Sequence, residues 1–245
     1  MRADIYLYEN SYCKSRNRAK QLIESGSVSA NGRIILKPSE QIPDGADIKI
    51  DESKCPEAKY VGRGALKLEH ALEHFGVDVS GRVCCDIGAS TGGFTQVLLR
   101  HGAAKVYAVD SGENQLDETL RADARVVSLE NTNARYLTKE NFSEDISLVV
   151  MDVSFISQTL IYPAIVQTVS RPCDIITLVK PQFETMSKSK LGKNGVIKDE
   201  KTRRAALENV INSAKSCGFK FCGSTESPIT GTSGNVEYLI HIRAE

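Results

Sequence analysis

The sequence predicts an α/β protein in which a Rossmann-like sheet, with helices on both faces, follows a small α+β unit. Two observations predict this organisation. Strand-like and helix-like segments alternate after residue 60, as they do in largely parallel sheets that are covered on both faces. Before residue 60, one amphipathic helix and several short strands separated by turns form a pattern of their own. A length of 245 residues suits one or two domains, and we place them at residues 1–58 and 59–245.

The small N-terminal unit is predicted to contain one helix and three short strands. The helix has Ser15 as a suitable N-cap and Gly26 as its stop signal. Asn31 and Gly32 mark a tight hairpin turn between the first two strands. Residues 51–59 are polar, contain a proline and lack periodicity, which predicts a linker. In chain order, the helix and the three strands are predicted at residues 12–26, 28–30, 33–36 and 47–50.

The larger unit is predicted to contain seven strands and four helices in alternation. Short apolar runs bounded by turn signals predict strands at residues 83–86, 105–110, 125–129, 148–153, 175–180, 220–225 and 237–242. Apolar residues at helical spacing predict helices at residues 65–75, 93–101, 158–169 and 201–217. The segment 183–196 is rich in Lys, Ser and Gly and has the least predicted structure.

Composition and charge disfavour several classes of protein. The 31 basic and 31 acidic side chains cancel, which argues against a uniformly polycationic binder of nucleic acid. The apolar runs are far shorter than the roughly 20 residues that a membrane-spanning helix needs, and the N-terminus lacks a signal-peptide pattern. We therefore expect a cytoplasmic protein whose seven cysteines, which include no C-x-x-C pair, are reduced.

The strongest local motif is a glycine-rich turn between a strand and a helix, at residues 83–94. The apolar strand reaches Asp86, and glycines follow as G-x-x-x-G-G rather than as the dinucleotide pattern G-x-G-x-x-G. A carboxylate here would repel a pyrophosphate but suits a cationic amino-acid group, which favours S-adenosylmethionine over a nicotinamide cofactor. Asp110, at the tip of the next strand, is placed to accept hydrogen bonds from ribose hydroxyls. The alternative is a tight turn that binds no ligand.

Charged residues end two further strands, at Asp152 and Lys180. Because the strands before them are apolar, both side chains are expected at the ligand edge of a largely buried sheet. A lysine that spends time neutral can act as a general base, so Lys180 is a catalytic candidate. A structural ion pair between the two residues is the alternative. Taken alone, Lys67 lies off the apolar stripe of its helix and Glu237 begins the last strand, which predicts a solvated lysine and an ordinary edge carboxylate.

His70, Glu73 and His74 match the H-x-x-E-H pattern of one class of zinc hydrolases. Two histidines four residues apart on a helix can bind zinc. The other two histidines, His101 and His241, offer no obvious third ligand. We therefore expect a solvated helix face and no metal site.

Several motifs together resemble those of the TlyA-type family, whose members join an RNA-binding domain of the ribosomal S4 type to an FtsJ-like RNA 2'-O-methyltransferase domain. The resemblance covers nearly the whole chain. The motifs that carry it are SRNRAK at 15–20, VSANG at 28–32, RGALKL at 63–68, DIGASTGGFT at 86–95, TNAR at 132–135, DVSFIS at 152–157, LVKPQFE at 178–184 and GNVE at 234–237.

The resemblance implies S-adenosylmethionine as cofactor, ribosomal RNA (often at a cytidine ribose) as substrate, and a catalytic tetrad of Lys67, Asp152, Lys180 and Glu237. We assign the proton-accepting role to Lys180, which Asp152 orients, while the other two position the hydroxyl. Members often carry the name hemolysin, for which the sequence offers no physical reason. The residues predicted to bind the cofactor are Asp86, Gly88, Ala89, Ser90, Gly92, Gly93, Phe94, Asp110, Asn133 and Asp152.

The chain departs from the family pattern at three places. Ala65 stands where the family usually has glycine, and Asn131 stands where an arginine is common. Glu113 and Asn114 stand where the family usually has an aromatic residue followed by glycine. The last two departures lie near the expected cofactor edge, so they bear on cofactor affinity and loop geometry rather than on the reaction class.

Local basic clusters offer RNA contacts that the zero net charge hides. Residues 14–20 contain four basic side chains, and residues 186–204 contain seven basic against two acidic ones. For the second cluster, a solvated loop is the alternative. Two other functions stay open: a non-catalytic RNA-binding or ribosome-assembly factor, and a membrane-lytic toxin, which the lack of a long apolar segment disfavours. The residues predicted to contact RNA are Lys14, Arg16, Arg18, Lys20, Arg63, Lys188, Lys190 and Lys193.

Overall fold

The computed structural model describes residues 1–13, 15–55, 59–185, 191–192 and 195–245. The chain divides into two compact units, Met1–Val61 and Gly62–Glu245. Each unit has a hydrophobic core of its own. Among the residues that the structure describes, every helix is too short or too polar to cross a membrane.

The N-terminal unit packs two short helices and a three-stranded antiparallel sheet around one core. The sequence does not predict the first helix, α1 (Ala3–Glu9), because seven residues show too little periodicity. The second helix, α2 (Arg16–Glu24), begins after Ser15, whose side chain accepts a hydrogen bond from the backbone N–H of Arg18. The sheet consists of β1 (Val28–Ala30), β2 (Arg33–Ile34) and β3 (Ile48–Ile50), in the order β2-β1-β3.

A buried carboxylate links the two helices of this unit. Asp4 in α1 is fully buried and accepts hydrogen bonds from Arg2 at 3.0 Å and from Arg16 at 3.1 Å. The hydrogen bond from Arg2, assisted by Arg16, outweighs the effect of burial and lowers the pKa of the Asp4 carboxyl to about 2. Arg16 thereby ties the start of α2 to α1.

The larger unit is built on a seven-stranded sheet, which confirms the predicted α/β class. Its strands are β4 (Val83–Ile87), β5 (Lys105–Val109), β6 (Val126–Leu129), β7 (Leu148–Met151), β8 (Cys173–Val179), β9 (Lys220–Glu226) and β10 (Tyr238–Ala244). Their order is β6-β5-β4-β7-β8-β10-β9, in which β10 runs antiparallel to both of its neighbours and the first five strands are parallel. The nearly continuous burial of β4, β5, β7 and β8 accounts for their apolar sequences.

Six helices accompany this sheet in the part of the chain that the structure describes. The longest begins after Asp199, whose carboxylate accepts hydrogen bonds from the backbone N–H groups of Lys201 and Thr202. In chain order they are α3 (Ala65–Phe75), α4 (Gly93–Arg100), α5 (Glu118–Arg121), α6 (Tyr162–Thr168), α7 (Pro181–Glu184) and α8 (Glu200–Ser216). The short helices α5 and α7 are additions to the predicted elements.

The strand register brings several chain segments to one edge of the sheet. Ile87 at the end of β4 pairs with Val109 on one side and with Met151 on the other. Tyr238 at the start of β10 lies opposite Val179 at the end of β8, because those two strands are antiparallel. The residues that follow β4, β5, β7 and β8, and those that precede β10, therefore share the edge at which open α/β sheets bind ligands.

Candidate active site

Two adjoining cavities open at this edge. The first, of about 470 Å³, is lined by residues that follow β4, β5 and β7. The second, of about 410 Å³, is lined by the start of α3, by residues that follow β7 and β8, and by residues 229–233. Asp152, Ser154 and Phe155 line both cavities. Both volumes lie in the range of small-molecule sites.

The glycine-rich turn after β4 forms part of the first cavity. Gly88 has a φ of 83°, and a Cβ atom there would lie 2.5 Å from the carbonyl oxygen of Asp152. Gly92 has a φ of 95°, and a Cβ atom there would collide with the side chain of Leu120. Only glycine suits both positions, and the resulting turn leaves its backbone open to close approach by a ligand.

Asp110 follows β5 and lines the same cavity. Its Oδ2 accepts a hydrogen bond from the backbone N–H of Ser90 at 2.8 Å, and its Oδ1 accepts one from that of Gly112 at 2.7 Å. The carboxylate thus joins two loops of the cavity and keeps lone pairs for a ligand. Asn133 also lines this cavity, and its side chain accepts a hydrogen bond from the backbone N–H of Arg135.

Two departures from the family pattern are accommodated by the backbone. Asn114 has a φ of 55° and Asn131 a φ of 54°, in the left-handed region that asparagine adopts more readily than most other residues. The Glu130 carboxylate accepts hydrogen bonds from the backbone N–H groups of residues 114–116. The hydrogen bond from Arg121 lowers the pKa of Glu130 to about 2, so the carboxylate that fixes this loop is ionised at neutral pH.

Asp86 lies behind the first cavity rather than in its wall. It is fully buried, and its Oδ2 accepts a hydrogen bond from the Thr95 hydroxyl at 2.7 Å, which ties β4 to the first turn of α4. Among the described residues, none donates a hydrogen bond to its Oδ1. Burial raises the pKa of the Asp86 carboxyl to about 7, with a further contribution from the Asp152 carboxylate and against the opposing effect of Thr95.

The residues predicted to bind the cofactor divide into two groups. Those that line the first cavity are Gly88, Ser90, Asp110, Asn133 and Asp152. Those that form the strand, turn and helix start behind it are Asp86, Ala89, Gly92, Gly93 and Phe94. The lining fits S-adenosylmethionine, because the glycine turn exposes backbone to a ligand and the carboxylates suit ribose hydroxyls and a cationic amino group.

The second cavity gathers all four residues of the predicted tetrad. Lys67 Nζ lies 2.6 Å from Glu237 Oε2, and Lys180 Nζ lies 2.6 Å from Asp152 Oδ1. Lys180 also donates a hydrogen bond to the Ser154 hydroxyl at 2.7 Å. Both lysines are buried, and each has a carboxylate partner, as buried charged groups generally require.

The structure differs from what Lys67 and Glu237 predict when each is taken alone. Lys67 is off the apolar stripe of α3, yet it is buried against Glu237. Glu237 precedes β10 instead of beginning it, and it is 3% exposed. A Cβ atom at Gly231 would lie 2.5 Å from Glu237 Oε1, so the preceding turn closes tightly over this carboxylate.

Two residues that line both cavities, Ser154 and Phe155, are not predicted as site residues from the sequence. Ser154 contacts Lys180, as described above. Phe155 is 92% exposed, has a φ of 63°, and its ring centroid lies 5.1 Å from that of Phe183. Both belong to the DVSFIS motif, so the signal that could have found them is a polar and an aromatic residue in the turn directly after Asp152.

The predicted RNA-contacting residues lie in different settings. Arg16 is exposed, while Arg18 and Lys20 are half-buried on α2. Arg63 is exposed, lines the second cavity and donates a hydrogen bond to the carbonyl oxygen of Thr230 at 3.3 Å. The remaining four lie outside the described residues: Lys14, Lys188, Lys190 and Lys193.

The histidine pattern lies on α3. The rings of His70 and His74 stack with their centroids 5.8 Å apart. His101 Nε2 lies 2.7 Å from Glu69 Oε2. In the part of the chain that the structure describes, no three His, Cys, Asp or Glu side chains form a group that could hold a metal ion.

Family models match both units of the chain. The FtsJ-like methyltransferase model matches residues 60–244, and the S4 domain model matches residues 1–48. The first match covers the whole sheet and both cavities. The second covers the two helices of the N-terminal unit and its first two strands.

Full-length relatives agree with these matches. "Hemolysin A" of Brachyspira hyodysenteriae is 45% identical over 98% of this chain and 99% of its own length. The "16S/23S rRNA (cytidine-2'-O)-methyltransferase TlyA" of Mycobacterium tuberculosis is 44% identical over 100% of this chain and 90% of its own length. A solved structure from Streptococcus thermophilus, which also carries a hemolysin name, is 41% identical with a TM-score of 0.78, over 99% of this chain and 88% of that one.

These matches account for the geometry of the site. The FtsJ-like model spans the glycine turn and the tetrad, and the S4 model adds the N-terminal unit. The first cavity, which fits a methyl donor, and the four charged residues beside it both lie within the residues that the methyltransferase model matches. The chain therefore belongs to the TlyA-type group of the FtsJ-like methyltransferase family, and it is an S-adenosylmethionine-dependent methyltransferase.

Proposed function

We propose that this chain methylates a ribose 2'-hydroxyl of ribosomal RNA, at a cytidine, with Lys180 as the general base. The observation that carries the proposal is the second cavity, where two lysine–carboxylate pairs meet beside the cavity that fits the cofactor. The Mycobacterium tuberculosis relative, by its name, supports the choice of substrate.

The cofactor and the base have separate tasks. S-adenosylmethionine, when bound, supplies a methyl group on a positively charged sulfur. Gly88, Ser90, Asp110 and Asn133 would hold it in the first cavity, with Asp152 at the border with the second. A ribose hydroxyl is a weak nucleophile at neutral pH, so a protein group must remove its proton.

Lys180 Nζ is suited to accept that proton. It faces the second cavity, and contacts of 2.6 Å to Asp152 and 2.7 Å to Ser154 fix its position. The Asp152 carboxylate orients the amine and stabilises the ammonium group that forms. General-base catalysis of this kind contributes about 10²–10⁴-fold to the rate.

Lys67 and Glu237 position the ribose on the other side of the same cavity. An ammonium group has three N–H donors, of which Lys67 uses one for Glu237. The remaining donors and the second carboxylate oxygen are suited to the hydroxyls of a ribose.

RNA capture would depend on basic side chains outside the tetrad. Arg63 lies at the second cavity, and Arg16, Arg18 and Lys20 lie on α2 of the N-terminal unit. Phosphate contacts of this kind provide affinity rather than sequence readout. We propose that the protein acts on ribosomal subunits in the cytoplasm, and we expect its affinity for them to fall steeply between about 50 and 200 mM salt.

The decisive experiment is methyl transfer to ribosomal subunits from cells that lack this protein. With methyl-labelled S-adenosylmethionine, nuclease digestion and mass spectrometry should reveal 2'-O-methylcytidine. Lys180→Ala should lower the rate by about 10²–10⁴-fold and leave cofactor binding intact. A methyl group on a base would refute ribose methylation, and a near-wild-type rate for Lys180→Ala would refute the general base. Binding without any transfer would instead indicate an assembly factor.

A further inference from the structure

A buried carboxylate fixes the end of the segment that carries Asp152. Glu184 is 6% exposed. One of its oxygens accepts a hydrogen bond from the Ser157 hydroxyl at 2.5 Å, and the other accepts one from the backbone N–H of Gln158 at 3.0 Å. Ser157 is the N-cap of the short helical turn Gln158–Leu160. Glu184 therefore holds the point at which the segment 152–157 ends.

The same carboxylate is attached to Lys180 through a short and stiff connection. Lys180 is the N-cap of α7, which begins at Pro181 and consists of a single turn that ends at Glu184. The proline fixes one backbone dihedral, and the turn sets the remaining spacing. Glu184 thus connects the segment after β8, which bears the base, to the segment after β7, which bears its partner.

Gln158 supplies a second connection between these segments. Its side chain is 1% exposed and donates a hydrogen bond to the carbonyl oxygen of Leu178 in β8 at 3.4 Å. Its Oε1 accepts hydrogen bonds from the Tyr162 hydroxyl, at 3.0 Å, and from the Thr177 hydroxyl. Satisfied networks of this kind hold one arrangement, because leaving a buried polar group without a partner is costly.

We propose that Glu184 is a positioning residue, which joins the segment 152–157 to the segment 180–184 and thereby keeps the Asp152 carboxylate at ion-pair distance from Lys180. The inference rests on the proposed function, in which Lys180 is the base and Asp152 orients it. Glu184 is not among the described residues that line either cavity, so it acts through those two residues and not on the substrate.

Two substitutions at this position separate the hydrogen bonds from the bulk of the side chain. Glu184→Ala removes both bonds, and we expect kcat to fall by roughly 10²-fold, the effect of a misplacement of about 1 Å. Glu184→Gln keeps an oxygen that accepts the Gln158 N–H and an amide that can donate to Ser157. We expect the kcat of Glu184→Gln to stay close to that of the wild type, with subunit affinity changed by about twofold at most.

A double-mutant cycle with Asp152→Ala tests whether Glu184 acts through Asp152. If it does, adding Glu184→Ala to Asp152→Ala should lower the single-turnover rate by about twofold at most. A full further loss of the size seen in the wild-type background would overturn the inference. Should Glu184→Ala fail to fold, Ser157→Ala, which removes one of the two hydrogen bonds to Glu184, takes its place in the same cycle.

The control is Thr168→Val in α6. Thr168 is buried and its hydroxyl donates to the Ala164 carbonyl oxygen at 2.6 Å, so the variant loses a comparable buried bond away from both cavities. Thr168→Val should lower the melting temperature without changing kcat. If it lowers kcat as much as Glu184→Ala does, the effect of Glu184→Ala reflects a general loss of stability and Glu184 has no positioning role. Lys180→Ala, assayed in parallel, separates the two hypotheses. If Lys180→Ala lowers the rate but the effects of Glu184→Ala and Asp152→Ala simply multiply, the positioning role of Glu184 is refuted and the proposed function is not.

Discussion

Two lysine–carboxylate pairs face the same cavity, and they enter it from different parts of the fold. Asp152 and Lys180 follow β7 and β8, which are neighbouring parallel strands. Lys67 comes from α3 and Glu237 from the residue before β10, so 170 positions separate the two partners. The distance between nitrogen and oxygen is 2.6 Å in both pairs.

The two pairs differ in their surroundings, although the distance between nitrogen and oxygen is the same in both. The Glu237 side chain is 3% exposed, whereas that of Asp152 is 20% exposed. Asp152 lines both cavities, and Lys180 has Ser154 as a second acceptor. Two ion pairs with the same nitrogen–oxygen distance therefore lie in different environments within one cavity. In the function proposed above, the pair at the junction of the cavities serves proton transfer beside the cofactor, and the enclosed pair of Lys67 and Glu237 positions the ribose.

The largest contrast is expected from replacing each lysine by arginine. Lys180→Arg should lower kcat by about 10²–10⁴-fold, because a guanidinium group stays protonated and cannot act as a base. Lys67→Arg keeps the charge that pairs with Glu237, so its loss should be at most about tenfold, the equivalent of one hydrogen bond. Single-turnover methyl transfer at saturating cofactor measures both rates.

Cofactor binding provides the control for this pair of variants. Neither lysine is among the described residues that line the first cavity, so calorimetry should show unchanged affinity for S-adenosylmethionine in both. Equal losses of kcat for the two variants would contradict the division of roles between the pairs.

For the free energy of unfolding, the pair of Lys67 and Glu237 should matter more than the pair of Lys180 and Asp152. Glu237→Gln leaves the buried Lys67 without its carboxylate, and we expect the free energy of unfolding to fall by about 1.5–3 kcal/mol, the range for hydrogen bonds to charged groups. Asp152→Asn should cost less, because Asp152 is more exposed and Lys180 retains Ser154. Urea unfolding followed by circular dichroism compares the two. A larger loss for Asp152→Asn would reverse our assignment of the enclosed pair.

A smaller effect on kcat is expected from Ser154, which accepts a hydrogen bond from Lys180 in the pair at the junction of the cavities. Ser154→Ala removes one hydrogen bond to Lys180, so kcat should fall by about 2–10-fold with little change in cofactor affinity. Ser216→Ala in α8 is the matched control, because its hydroxyl donates to the backbone of the same helix. An unchanged kcat for Ser154→Ala would show that Asp152 alone orients the base.

The smallest effect concerns Asp86, a buried carboxylate whose side-chain partner is the Thr95 hydroxyl instead of a lysine. Burial raises the pKa of the Asp86 carboxyl to about 7 in the folded protein, well above its ordinary value, so the folded state binds this proton more tightly than the unfolded state does. Its contribution to stability therefore declines as the pH rises from 4 to about 7 and stays at its lowest above that. Asp86→Asn should raise the melting temperature more at pH 8 than at pH 5. Equal changes at both values would contradict the raised pKa.

Local sequence patterns predict most of the sheet because each strand carries its own signal. The runs that form β4, β5, β7 and β8 are apolar over most of their length, and the glycine turn and the polar residues after them mark the ligand edge. The same patterns miss α1, in which Ala3, Tyr6 and Leu7 face the core, because two turns of helix give too few repeats.

Local sequence patterns predict only two of the four residues of the tetrad. Asp152 and Lys180 can be predicted from the residues alone, since each follows a buried strand. Lys67 and Glu237 cannot, because one sits on a helix and the other in a turn, and nothing near either position indicates a partner. The resemblance to a family selects them, and the structure shows the contact between them.

By itself, the sequence determines the α/β class, the glycine turn that fits a cofactor and the charged residues that end the strands, because these depend on neighbours along the chain. The tertiary structure is needed to show that Asp86 lies behind the cavity, that Lys67 is buried, and that Glu184 accepts hydrogen bonds from Ser157 and Gln158. Burial and pairing over long separations depend on strand order and register. The antiparallel placement of β10 beside β8 brings Glu237 to the edge where Lys180 lies.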